Sequence, residues 1–227
     1  MPAFTYRTLG TLRQTLRTRL GFGASGAATG ASDELLNSFL QSAYAHCYEM
    51  QDWKKMTAWF DSSVGMGQNL IDYPADANPD RLYTPPGSRS PLWILYSGSW
   101  VPMEEGIPAA AWDTMDNGNT YPMRYELYDQ ILLWPKANAL YTVKIWYIKK
   151  MGSFSLDNDR PLLDDNLIFL HALMTAKQHY KQPDAGLYIQ QWQEMVTKIR
   201  AHSIGQNKVI RRSRPDDIPD PRPVVVP

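Results

Sequence analysis

Three carboxylate pairs could do acid–base chemistry in this chain: Glu104/Glu105, Asp157/Asp159 and Asp164/Asp165. Two carboxyl groups flanking a glycosidic bond can divide acid and base duties between them. All three pairs sit in turn-like, proline-flanked sequence, where acidic side chains serve turns and helix starts. Asp164 and Asp165 directly precede an apolar run, so capping accounts for them without chemistry. The histidines are His46, His171, His179 and His202; no H-E-x-x-H spacing occurs, and Cys47 has no second cysteine with which to hold zinc. His171 falls in an almost wholly apolar stretch and reads as a satisfied core histidine. His46 and Cys47 are neighbours on a helix and point about 100° apart, so Cys47 reads as a small core residue rather than a nucleophile. "GFGASG", Gly21 to Gly26, matches G-x-G-x-x-G but follows a helix, whereas a dinucleotide site needs it between strand and helix. It reads as a mobile small-residue loop. Neither a G-x-S-x-G elbow nor a G-K-[ST] loop occurs. The residues therefore point to no catalytic site, no cofactor and no metal, and to a protein that is not an enzyme.

Composition narrows the class further. The 227 residues carry a formal net charge of +0, which argues against a dedicated nucleic-acid or anionic-membrane binder. The single cysteine excludes an intrachain disulfide and fits a reducing cytoplasm. No signal pattern opens the chain, and "PLWILY" and "ILLW" are far shorter than a bilayer span, so no membrane partner is expected. The neutral sum hides segregation. Arg7, Arg13, Arg17 and Arg19 precede the first acid, Asp33; six acids between Met103 and Asp129 face Arg124 alone; Lys208, Arg211, Arg212 and Arg214 form a second basic cluster. Faces of opposite sign suit head-to-tail contacts between copies, and solvated surface charge is the equal alternative. Arg13 and Arg17 against Glu104 and Glu105 is the subunit contact this pattern suggests.

These residues need elements to carry them. Leu9, Leu12, Leu16 and Leu20 are spaced for one helix face, ended by Gly21. Ser32 reads as the cap of a second helix running to about Trp53. From Thr57 the texture changes to short aromatic and β-branched runs separated by turn residues. Val143, Ile145 and Tyr147 alternate with Thr142, Lys144 and Trp146, as in a half-buried strand. "PKANA" between "YELYDQILLW" and "LYTVKIWYI" reads as a hairpin turn. Trp59, Trp93, Trp100, Trp112, Trp134 and Trp146 lie in this region, which predicts a sheet with an aromatic face. Helix returns with Leu167–Met174, and again after Gln182-Pro183-Asp184 with Tyr188, Trp192, Met195, Val196 and Ile199 on one face. The expected fold is α+β: a discontinuous helical bundle of two N-terminal and two C-terminal helices (1–56 and 160–205), a β-rich inserted lobe (57–159) and an extended C-terminal arm (206–227).

The order of these parts resembles the head-to-tail adaptor (neck, or connector) proteins of tailed bacteriophages, of the short-tailed podovirus type. The likeness is carried by "LRQTLRTRLGFG…ASDELLNSFLQSAYAHCYEMQDW" as an opening helix pair. It is carried also by "YPMRYELYDQILLWPKANALYTVKIWYIKK", with a Pro-x-x-Tyr lead-in, an Ile-Leu-Leu-x-Pro strand and a Tyr-x-x-x-x-x-Tyr strand, and by "DNDRPLLDDNLIFLHALMTAKQHY" and "PDAGLYIQQWQEMVTKIRAH" as closing helices. The resemblance implies a structural virion protein with no enzyme activity and no cofactor. It implies a homo-oligomeric ring, commonly of twelve copies, docked on the portal protein at the virion neck. Such a ring is assembled in the host cytoplasm, meets the tail or nozzle protein, and lets genomic DNA pass its lumen without sequence-specific binding. Two other classes stay open on the residues alone: a virion-associated cell-wall hydrolase using Glu104/Glu105, and a DNA-binding accessory protein using Arg7, Arg13, Arg17 and Arg19.

The ending "RRSRPDDIPDPRPVVVP" belongs to none of the periodic elements. Its prolines forbid a helix, and from Gln206 onward it could span roughly 70 Å against a body radius of gyration near 16 Å. Ordering it costs on the order of 1 kcal/mol per residue, so it is expected to be disordered in a free monomer and extended along the portal in the assembly. Arg211, Arg212 and Arg214 would meet acidic surface there, and Val224, Val225 and Val226 would fill apolar pockets or pair with a strand edge.

Overall fold

Thr8 starts the first helix. Its side-chain oxygen accepts the Thr11 amide at 3.3 Å, and α1 runs from Leu9 to Arg19 with Leu9, Leu12 and Leu16 wholly buried. Gly21, at φ +82°, turns the chain off its end in a conformation that favours glycine. A computed structural model of the chain describes residues 6–22, 32–112 and 120–206; the Gly/Ala/Ser loop of residues 23–31 and the arm of residues 207–227 lie outside them. Ser32 caps α2 (Asp33–Glu49) by accepting the Leu35 amide at 3.2 Å. This helix is shorter than its sequence suggests. Trp53 turns back and donates its indole N–H to the Cys47 carbonyl at 2.7 Å, satisfying an orphan carbonyl that a further turn would have used. A single 3-10 turn, Lys54–Met56, then leads into the sheets.

Two antiparallel-dominated sheets follow. The strands are β1 (Thr57–Val64), β2 (Leu70–Ile71), β3 (Ala77–Leu82), β4 (Leu92–Tyr96), β5 (Ser99–Pro102), β6 (Glu104–Glu105), β7 (Arg124–Leu127), β8 (Ile131–Trp134) and β9 (Tyr141–Lys149), with one helical turn, α3 (Ala109–Trp112), after β6. The first sheet has the order β1-β9-β4-β5, and β3 also pairs with β9; the second has the order β2-β8-β7-β6. β1 covers one edge of β9 from Tyr141 to Ile148, while β4 and β3 divide the other edge. Val143, Ile145 and Tyr147 are buried as their alternation predicts, and they share a core with Val64, Ile94, Tyr125, Ile131 and Leu133 of both sheets. The "PKANA" hairpin does not form. β8 pairs with β7 and β2, β9 lies in the other sheet, and the intervening residues cross between sheets. Ala137 fixes that crossing by exchanging backbone hydrogen bonds with Gly67 (2.7 Å) and Gln68 (3.0 Å). The tight hairpin is instead Leu127 to Ile131, inside what reads as one strand.

Helix resumes at α4 (Asp165–His179), capped by Asp164, whose carboxylate accepts the Asn166 amide at 2.9 Å. α5 (Ala185–Gln206) packs on α4 through Val196, Tyr188, Trp192, Met195 and Ile199. Between the two, the buried Lys177 ammonium donates to Asp184 and to Gln182, each at 2.7 Å, and Gln182 in turn donates to the Leu20 carbonyl at 3.0 Å. Charge burial is thus matched by a partner and hydrogen bonds, as it must be. The N- and C-terminal helices close one core around Leu12, Leu40, Tyr44, Leu167 and Leu173. The class is α+β, with helices from both ends of the chain and two sheets between. β9 belongs to both cores, since Tyr147 sits in the sheet core and the adjacent Ile148 in the helical one. Among the described residues no helix is long and apolar enough to cross a membrane.

Candidate functional site

Arg7, Arg13, Arg17 and Glu104, among the charged residues that the sequence singles out, are engaged within the chain. Arg13 grips Asp157 with two parallel hydrogen bonds, 2.8 and 2.9 Å, and its Nε lies 3.7 Å from Asp33. The hydrogen bond to Asp157 raises the Arg13 pKa against the opposing effect of burial, and the same bond holds Asp157 below the usual carboxylate range. Arg17 pairs with Asp33. Arg7 binds Asp165 through its backbone N–H (3.0 Å) and its Nε (2.7 Å). Burial alone would raise the Asp165 pKa; the bonds from Arg7 outweigh it and lower it. Arg7, Arg13 and Arg17 are therefore matched by acids from as far away as residue 165, which the linear charge pattern does not show.

Each acid pair has a structural task. Glu104 and Glu105 form a short edge strand parallel to β7 rather than a turn, and Glu104 binds Arg124 at 2.6 Å. Asp159 accepts from the amides of Ser155 (2.8 Å) and Leu156 (2.9 Å) and from the Ser153 hydroxyl (2.9 Å), which lowers its pKa. That loop offers the Asp157 and Asp159 carbonyls to the first amides of α1, Gly10 and Leu9, at 3.0 and 2.9 Å. A Cβ at Gly10 would meet the Asp157 oxygen at 3.3 Å, a tight contact that favours glycine at this close approach. No group of three metal-ligating side chains occurs among the described residues.

Two groups depart from their sequence reading or sharpen it. His171 is half-buried, stacks on His46 at 4.6 Å and meets Trp192 edge-on at 5.1 Å, yet its Nδ1 and the Trp192 Nε1 have no hydrogen-bond partner. It is not a satisfied histidine. Burial, with a smaller contribution from His46, pushes its pKa down to about 4. Cys47 is wholly buried, and burial pushes its thiol up to about 12.

The expected aromatic face does form, and register decides which tryptophans share it. Trp59 stands opposite Trp146, Asp61 opposite Lys144, and Trp93 opposite Lys144 from the other side. Residues directly opposite project from the same face of a sheet. The Trp59 and Trp146 rings are 5.3 Å apart, and the Lys144 ammonium sits 4.3 Å from the Trp100 ring and 3.6 Å from Asp61. Pro85, Pro86, Gly87 and Ser88 join Trp93, Trp100, Lys144 and Trp146 around an open cleft of about 340 Å³. Trp134 lies elsewhere, against Ile107 and Leu132. A second aromatic group, Tyr96 stacked on Tyr121 at 4.1 Å with Tyr141 at 6.4 Å from each, stands near the exposed Leu140. Aromatic side chains of this kind are enriched in protein–protein interfaces. Arg211, Arg212, Arg214, Val224, Val225 and Val226 lie outside the described residues.

Comparison with known proteins agrees with a binding role. The family model described as SU10 adaptor protein matches residues 7–219. Comparison with curated proteins gives no match.

Proposed function

Because the chain belongs to the SU10 adaptor protein family, and so to the structural adaptors of phage particles, we propose that it forms a ring beneath the portal of a short-tailed phage. The ring holds about twelve copies, extends the DNA channel without reading sequence, and carries the tail or nozzle protein. It forms in the host cytoplasm and remains in the virion neck. The family match along nearly the whole chain carries this reading, and the structural roles found for all three acid pairs support it. The helical region builds the ring body, and the sandwich turns Tyr96, Tyr121 and Leu140 toward the tail component. Neighbouring copies meet through the Arg13 and Arg17 side of one helical region and the Glu104 and Glu105 edge of the next, sharing partners already bound within each chain. The arm reaches the portal, with Arg211, Arg212 and Arg214 on acidic surface and Val224 to Val226 in apolar pockets.

Native mass spectrometry and electron microscopy of the protein mixed with portal test this. A ring seated on the portal is expected; monomers that leave the portal bare would end the proposal. Removal of residues 207–227 should weaken attachment while the helical signal in circular dichroism stays. Unchanged attachment would exclude the arm as a portal contact.

A further inference from the structure

We propose that the tryptophan cleft on the outer face of the first sheet receives the proline-rich stretch Pro215–Pro223 from a second copy of this chain. The inference rests on the reading of the last residues as a binding arm and adds a receptor for it on the protein's own surface.

The chemistry of the cleft comes first. Trp93, Trp100 and Trp146 line it together with Pro85 and Pro86, and Trp59, whose ring lies 5.3 Å from that of Trp146, leaves 59% of its surface exposed. Extended proline-rich segments bind such aromatic grooves because proline rings pack flat on indoles and the segment loses little entropy on docking. The chain supplies that ligand: Pro215, Pro219, Pro221 and Pro223 fall within one short stretch. The charges agree as well. The stretch carries Asp216, Asp217 and Asp220 against the single Arg222, while Lys144, 3.6 Å from Asp61, lines the cleft and the exposed Arg89 follows its lining residue Ser88.

Reach and starting point favour a second copy. Among the described side chains Ile199 is the last of α5 packed on the helical core, and the helix continues about 10 Å along its axis to Gln206. The last described residue thus belongs to a helix packed on the helical core, not to a strand of the sandwich that bears the cleft. Extended at about 3.1 Å per residue, residues 207–227 could span about 65 Å, roughly four times the radius of gyration of the body. Arg211, Arg212 and Arg214 on one side of the docked stretch, and Val224 to Val226 on the other, stay available to the portal. Each docked arm would link one copy to the next, and repetition around a ring multiplies a weak contact.

The test uses full-length protein bearing p-benzoylphenylalanine at Asp220, prepared with natural and with 15N label, mixed in equal parts with portal and irradiated. Cross-links from position 220 to Pro85–Ser88, Trp93, Trp100 or Trp146 are expected, joining labelled to unlabelled copies in about half of the pairs. Pro219→Ala, Pro221→Ala and Pro223→Ala together should reduce their yield at least fivefold, with an unchanged circular dichroism spectrum to show that misfolding does not explain the loss. Trp59→Ala with Trp146→Ala should reduce it likewise. Cross-links confined within single copies would show the arm on its own cleft and overturn the assignment to a second copy. Cross-links to portal alone, or none, would overturn the cleft as receptor. Electron microscopy of the same samples separates the two readings: rings without the cleft cross-link remove only this inference, and cross-links without rings remove only the ring.

Discussion

Leu12, Leu40 and Leu167 come from three distant parts of the chain and meet in the helical core, whereas Val64, Ile94 and Val143 of the sheet core all lie within one uninterrupted stretch. The helical region is tied by long-range polar contacts, Arg7 to Asp165 and Arg13 to Asp157, and its first and last helices cannot close a core separately. The sandwich leaves Trp59, Tyr96, Tyr128 and Leu140 exposed. The contrast is a division of labour. One region holds the molecule together across its sequence, and the other displays aromatic surface from a local scaffold.

Coupling through β9 is where that comparison is easiest to break. Leu40→Ala should destabilise the protein by about 2–5 kcal/mol, since a wholly buried leucine is removed from a dense core. Most tryptophans lie in the sandwich and most helix signal lies outside it, so fluorescence and far-ultraviolet circular dichroism report different regions. With Ile148 in the helical core and Tyr147 in the sheet core, both signals should shift together in a denaturant titration. Two separated transitions would show that the regions unfold independently. The next effect is smaller. Arg7→Ala leaves the largely buried Asp165 carboxylate without its main partner and should cost about 1–3 kcal/mol. The loss should shrink in acid, because a carboxylate with a lowered pKa contributes above its ordinary range and ceases to contribute once protonated.

His171 sharpens the comparison through pH. Its pKa falls from 6.5 to about 4 on folding, so between those values the unfolded chain binds more protons. Stability is then fully present above about pH 6.5 and declines as pH falls toward 4. His171→Leu should remove that part of the decline, measured as the difference between the two proteins' denaturation midpoints across the range. Parallel curves would mean that His171 is not held neutral by its surroundings. The smallest effect belongs to the sandwich surface: Trp59→Ala should change stability by less than about 1.5 kcal/mol, the worth of its contact with Trp146. A larger loss would make the aromatic face structural rather than a display.

Much of the helical region and strand β9 were legible because their signals are local. The leucine spacing of α1, Ser32 and Asp164 as caps, and the Val143–Ile145–Tyr147 alternation each involve residues a few positions apart. The false hairpin at "PKANA" has the opposite origin. Ile131, Leu132 and Leu133 are all buried, so β8 carries no alternation to reveal which sheet it joins, and partner choice was settled by contacts far away in sequence. The site was legible by type only. Abundant tryptophan predicted an aromatic face, but the pairing of Trp59 with Trp146 is set by strand register. The partners of Arg13 and Arg7, and the unpaired Nδ1 of His171, depend on approaches between separate elements that no spacing rule records.

Cys47 has a practical consequence for work at the bench. It is the chain's single thiol, wholly enclosed by the helical core and pushed up to about 12, so near neutral pH it offers almost no thiolate to an alkylating dye. The native protein is thus already a silent background for maleimide chemistry. A cysteine introduced on the arm or beside the tryptophan cleft would take up a fluorophore alone, and distances between copies could be followed by energy transfer without first rebuilding the core.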